Sequence, residues 1–172
     1  MNKKYLEIFI YISFIILLGL CYIFKLSILD AISYSVTISL FLFTFYSKWL
    51  WKYNPLEKTP RLKKKYVARI DYQYGGQARN KIVDVNIKQD LFSVKVTMKS
   101  DESFSKSVIA NIYQEQDVWY LTYTYINEPS QKNRKKSKIH NGTCKLNLND
   151  IKKINGEYFT DRLSCGDIVF IG

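Results

Sequence analysis

Aromatic side chains are the residues of this chain most able to bind a flat organic ligand. In residues 118–126, large apolar or aromatic side chains occupy every second position, which predicts a strand with Trp119, Tyr123 and Tyr125 on one face. Rings that share a face either pack in a protein core or stack on bases. Tyr125 comes just before Asn127-Glu128-Pro129, where the strand runs out, so we expect it at a rim that a ligand can reach.

The excess of positive charge suggests an anionic partner, and the absence of catalytic motifs from the sequence argues against an enzyme. The chain has 26 Lys and Arg against 15 Asp and Glu. These cations fit an anionic ligand, an acidic lipid surface or simple solubility. His140 is the single histidine, and paired carboxylates, phosphate-binding glycine loops, nucleophile elbows and Cys/His clusters are absent from the sequence. We therefore predict a binding protein with no catalytic residue, cofactor or metal.

Two apolar stretches precede the aromatic segment. Residues 8–24 and 31–47 contain no charged side chain, and each is close to the lower limit of about 17 residues for a membrane-spanning helix. Buried core helices and, for the first stretch, a signal peptide are the alternatives. Cations are concentrated before the first stretch and after the second, so a transmembrane hairpin would place both termini on the cytoplasmic side of a bacterial inner membrane.

The pattern changes at Asn54-Pro55, which divides the chain into a two-helix transmembrane hairpin (1–54) and a cytoplasmic ligand-binding domain (55–172). Alternation in the second part predicts eight strands, at residues 66–74, 81–88, 91–98, 106–114, 118–126, 140–148, 155–160 and 167–171. Short strands without helices indicate an antiparallel barrel or sandwich. We favour a compact eight-stranded antiparallel β-barrel, with a long polar loop at residues 131–138.

Several blocks resemble one protein family, the two-transmembrane, β-strand-rich effectors of bacterial CBASS antiphage operons. These effectors are cyclic-oligonucleotide receptors associated with CD-NTases, the nucleotidyltransferases that make the messenger. The matching blocks are Asn54-Pro55-Leu56-Glu57-Lys58-Thr59-Pro60-Arg61-Leu62, Ile87-Lys88-Gln89, Tyr123-Thr124-Tyr125-Ile126-Asn127-Glu128-Pro129, His140-Asn141-Gly142-Thr143 and Gly156-Glu157-Tyr158-Phe159-Thr160-Asp161-Arg162. Lys63-Lys64-Lys65-Tyr66 departs from the Gly that relatives place before a Trp, which bears on ligand preference.

The resemblance implies a function and a set of partners. The barrel would bind a cyclic dinucleotide from a partner CD-NTase, and binding would promote a homo-oligomer of the helices that disrupts the lipid bilayer and kills the infected cell. No DNA or RNA partner is expected. Arg162 would lie near a phosphate and Tyr125 and Tyr158 near a base or ribose. The remaining polar contacts would be Asn127, His140, Thr143 and Thr160.

Each assignment has a simpler alternative. Gly142 and Gly156 would serve backbone bends, Thr160 would be an ordinary strand residue, and Arg162 would pair with Glu128 at the rim. A lipocalin-like barrel that binds an apolar ligand or a protein partner is the rival function, and an apolar lumen without a polar rim would favour it. A third alternative is a membrane anchor whose basic face only contacts lipid.

Overall fold

Two apolar helices form the first part of the chain. The structure, a computed structural model, describes residues 3–74, 77–135 and 137–172. Helix α1 is Lys3–Phe24 and helix α2 is Ile28–Lys48, and both are long and apolar enough to cross a membrane. Ser27 caps α2, because its side chain accepts a hydrogen bond from the Asp30 N–H at 3.3 Å. The two charge-free stretches predicted as helices therefore lie within the observed helices.

Short side chains form the buried face of α2. Ala31, Ser35 and Ser39 are spaced four residues apart and are almost fully buried in the two-helix unit. Side chains four apart lie on one helix face, and small ones allow two helix backbones to approach closely. This compact unit extends to Glu57 and also includes Asp90–Phe92, whereas the second unit contains the other residues from Lys58 onward.

The second unit is a closed antiparallel barrel. Its strands follow one another around the barrel in chain order, and β8 pairs with β1. They are β1 (Lys65–Tyr74), β2 (Gln77–Gln89), β3 (Val94–Lys99), β4 (Ser103–Glu115), β5 (Val118–Pro129), β6 (His140–Asn147), β7 (Lys153–Thr160) and β8 (Cys165–Ile171). The predicted fold class, two apolar helices followed by an eight-stranded antiparallel barrel, is confirmed.

Every second side chain along a strand points inward, and these side chains fill the barrel. Val83, Val85 and Ile87 on β2 are buried, as their spacing predicts, and so are Tyr123 and Tyr125 on β5. One end is plugged near the start of β1. There the Tyr66 hydroxyl donates to the Ile151 carbonyl at 3.0 Å and accepts from the Lys63 N–H, also at 3.0 Å.

Two local expectations differ from the structure, and a third cannot be compared with it. Strand β3 begins at Val94, so Phe92 does not join Val94 and Val96 on the inward face. The Asp90 side chain accepts a hydrogen bond from the Phe92 N–H at 2.9 Å, and this turn keeps the segment out of the strand. The polar loop contains a short 3₁₀ helix, Gln131–Asn133, and Ser130 N–H donates to the Glu102 carbonyl. The turn expected at Gly75-Gly76 lies outside the described residues.

Candidate ligand-binding site

The barrel holds a cavity of about 310 Å³ at the end opposite the Tyr66 plug. The β3–β4 turn, the β5–β6 loop and the β7–β8 turn all contribute to its lining. Alternate connections of an up-and-down barrel lie at the same end, so these three segments border one opening. We call this opening the mouth.

Six of the seven predicted site residues line this cavity. They are Tyr125, Asn127, His140, Tyr158, Thr160 and Arg162. Three strands and one turn bring them together, although 37 positions of sequence separate the first from the last.

Thr143 is not brought to the cavity. On β6 the buried residues are His140, Gly142, Cys144 and Leu146, and Thr143 falls between Gly142 and Cys144 on the opposite face of the strand. Successive side chains of a strand point to opposite faces, so an inward Gly142 and an inward Thr143 are incompatible. Thr143 is therefore omitted from the proposed site.

Gly142 leaves the space that the ring of Tyr125 occupies. The two residues are paired neighbours on β6 and β5. A Cβ atom at position 142 would lie 2.4 Å from both the Cζ atom and the hydroxyl oxygen of Tyr125. Gly142 is thus required for side-chain room rather than for the backbone bend that the sequence suggested. Gly156 also lacks room, since its Cβ would lie 2.1 Å from the Lys145 carbonyl oxygen.

Burial further favours the neutral forms of three side chains in the cavity wall, Tyr125, Tyr158 and Cys144. It raises the pKa of Tyr125 well above its ordinary value and that of Tyr158 to about 12, so both phenols can donate hydrogen bonds at neutral pH. Burial likewise raises the pKa of the Cys144 thiol to about 12. Only a thiolate is a strong nucleophile, and Cys144 is therefore a packing residue.

Arg162 reaches across from the β7–β8 turn to the start of β6. Its guanidinium donates to Ser137 Oγ at 3.0 Å, and a second nitrogen lies 3.5 Å from His140 Nε2. His140 Nδ1 lies 3.0 Å from the Lys138 carbonyl. Burial, followed by the charge of Arg162, lowers the pKa of His140, so the imidazole is neutral at pH 7. The tautomer with a proton on Nδ1 satisfies both contacts, because Nε2 can then accept from Arg162.

The turn that carries Arg162 is held at both of its ends. Asp161 accepts a hydrogen bond from the Asn141 N–H at 2.9 Å and donates its own N–H to the Asn141 carbonyl. Thr160 Oγ1 lies 2.7 Å from Ser164 Oγ and closes the turn from the inside. The hydroxyl of Thr160 therefore has a structural role beside its place in the cavity wall.

Glu128 is not the partner of Arg162. Its carboxylate pairs with the Lys106 ammonium at 2.8 Å, and this ion pair lowers the pKa of Glu128. Among the described residues, no carboxylate forms an ion pair with Arg162. The arginine therefore presents its positive charge at the mouth with only neutral groups in direct contact.

Other residues of the cavity wall were not predicted, and three of them are Ser105, Lys81 and Tyr72. Ser105 donates to Asn127 Oδ1 at 2.7 Å, which leaves the Asn127 amide nitrogen as the donor end of that side chain. Lys81 and Tyr72 also line the cavity. Alternation could have identified them, since Lys81 has the same parity as Val83 on β2 and Tyr72 continues the inward face of β1.

The fold and the cavity together define a small-ligand-binding barrel that follows two candidate membrane-spanning helices. Residues 57–171 match the family described as Cap15, cyclic dinucleotide receptor domain, and the chain belongs to this family, which is associated with CBASS. It is 34% identical over 151 residues to CD-NTase-associated protein 15 of Staphylococcus schleiferi, covering 86% of this chain and 82% of that protein. It is 24% identical over 143 residues to the protein of the same name from Escherichia albertii, covering 78% and 73%. The resemblance stated from the sequence is confirmed.

Proposed function

We propose that the barrel binds a cyclic dinucleotide at its mouth and that binding drives assembly of the chain into an oligomer that disrupts the bacterial inner membrane. The infected cell would then die before phage is released. The observation that carries this proposal is the convergence of Tyr125, Asn127, His140, Tyr158 and Arg162 on one cavity. The family's description as a cyclic dinucleotide receptor domain supports the choice of ligand.

The chemistry of the cavity matches the parts of such a ligand. A cyclic dinucleotide has two bases, two riboses and two phosphates. Tyr125 and Tyr158 offer ring faces for a base and neutral hydroxyl donors, and Arg162 offers a charge for a phosphate. A hydrogen bond to a charged group contributes about 1.5–3 kcal/mol, so one guanidinium contact accounts for a substantial share of micromolar affinity.

The polar residues that line the mouth argue against an apolar ligand. A lipocalin-like site for an apolar molecule would need an apolar opening, whereas this mouth is lined by serines, Asn127, Asn133 and charged side chains. Desolvating those groups against an apolar ligand would cost free energy without replacing their hydrogen bonds. A purely lipid-binding basic surface would not require a cavity at all.

Control of the helices requires a difference in affinity between two states. A ligand shifts an equilibrium only as far as it binds one state more tightly, and a change from 1:99 to 99:1 needs about 10⁴-fold tighter binding to the favoured state. The assembled form must therefore bind the cyclic dinucleotide more tightly than the resting form.

Dye release from liposomes tests this proposal. Liposomes that contain the full chain should leak after a cyclic dinucleotide is added and should stay sealed with a linear dinucleotide of the same bases. The variant Thr143→Ala is a suitable control, because Thr143 lies on the outward face and its loss should leave leakage unchanged. Equal leakage with and without the cyclic ligand would overturn the switch.

A further inference from the structure

The cavity is small for the ligand proposed for it. Sites that enclose small organic ligands have volumes of about 300–1,000 Å³, and this cavity, at about 310 Å³, is at the lower limit of that range. A cyclic dinucleotide is larger than most such ligands. One base with its ribose fits a cavity of this size, whereas the complete ring requires part of the ligand to remain outside.

Apolar and charged groups are separated by depth in the cavity. Strand β2 runs inward from the mouth, so Lys81 lies nearer the opening than Val83 on the same face. Below Lys81 the wall consists of apolar side chains such as Val83 and Ile168, together with the rings of Tyr125 and Tyr158. A base suits this deeper part, and a phosphate suits only the mouth, because burying an unpaired charge is costly.

Cationic groups lie on two sides of the mouth. Arg162 belongs to the β7–β8 turn. Lys81 Nζ lies 2.6 Å from Glu102 Oε2, and Glu102 belongs to the β3–β4 turn. These two turns are four strand positions apart in a closed ring of eight strands, which places them across the opening from each other.

Arg162 and Lys81 differ in what they contact. Arg162 contacts the neutral groups of Ser137 and His140, whereas Lys81 is paired with the carboxylate of Glu102. The side chain of Glu102 is 66% exposed, and ion pairs at such exposure are weak. A phosphate can therefore replace Glu102 at Lys81, while Arg162 can accept a phosphate without losing an ion pair.

We infer that the barrel takes one half of a cyclic dinucleotide, with one base between Tyr125 and Tyr158, the two phosphates at Arg162 and Lys81, and the second base outside the mouth. This inference rests on the proposed function and assigns a binding role to Lys81. The protein then recognises only one of the two bases, because only the enclosed base contacts it with its edges and faces.

A ligand modified on one base tests the inference with the full chain. A ring that carries a bulky fluorophore on one base should bind within about threefold of the unmodified ring, since its other base can enter the barrel. A ring modified on both bases should lose binding. Loss of binding after a single modification would mean that both bases are enclosed, and undiminished binding after double modification would mean that neither enters.

Lys81 is tested with a matched pair of variants. Lys81→Met should weaken binding of the unmodified ring about tenfold, as expected for loss of one charge-assisted contact. Lys95→Met, on the exposed outer face of β3, should bind like the unchanged protein. Equal affinity in both variants would remove Lys81 from the site while leaving the proposed function intact. Failure of the unchanged protein to bind any cyclic dinucleotide would instead overturn the proposed function.

Discussion

Replacing Arg162 with Met should lower the affinity of the full chain for a cyclic dinucleotide by roughly 10- to 100-fold. The lost contact is a charge-assisted hydrogen bond of about 1.5–3 kcal/mol, and each 1.4 kcal/mol corresponds to a factor of ten in the dissociation constant. Met preserves the length of an apolar stem, so the change removes mainly the guanidinium. Isothermal titration with a single cyclic dinucleotide measures the effect.

A second arginine provides the control for net charge. Arg69 is on β1 and pairs with Asp71 at 3.0 Å, away from the cavity lining. Arg69→Met removes the same charge and should change affinity little. The assignment of Arg162 would be wrong if both variants lost the same affinity, or if Arg162→Met bound as tightly as the unchanged protein.

Gly142→Ala should destabilise the barrel and weaken ligand binding together. The new methyl group would lie 2.4 Å from the phenol of Tyr125, so the ring must move from its place in the cavity wall. Overpacking of this kind typically costs about 1–3 kcal/mol in the free energy of unfolding. Thermal or urea unfolding measures the stability, and titration of the folded variant measures the affinity.

A double-mutant cycle identifies the cause of that loss. If the overlap with Tyr125 is responsible, Gly142→Ala should cost little stability in a Tyr125→Ala background. Gly156→Ala is the contrasting case, because its Cβ would meet the backbone oxygen of Lys145, which no side-chain truncation removes. An equal cost of Gly142→Ala with and without the Tyr125 ring would contradict the packing described for Gly142.

The fold follows from alternation, and its exceptions have local causes. The inward positions Val83, Val85 and Ile87 could be predicted because a strand with one buried face repeats every two residues. Phe92 has the same parity as Val94, yet the side chain of Asp90 turns the backbone before the strand begins. A hydrogen bond of this type depends on side-chain geometry, which the pattern of apolar residues does not contain.

The site residues could be predicted in part. The alternation of side chains along a strand also explains why Thr143 does not line the cavity. His140 and Thr143 are separated by an odd number of positions on one strand, so both cannot face the cavity, and this was available from the sequence. Lys81 was also available, as a cation on the inward face of β2. The contact of Arg162 with Ser137 was not, because it joins a turn to a loop 25 residues earlier and depends on closure of the barrel.

Hydrogen exchange of the full chain with and without a saturating cyclic dinucleotide tests most directly whether the ligand binds at the mouth. The account predicts slower amide exchange in residues 100–103, 130–135 and 161–164, the segments that border the opening. It predicts no change in residues 116–117 and 148–152, which connect strands at the opposite end. Protection confined to that opposite end, or no protection at a saturating ligand concentration, would contradict the proposed site.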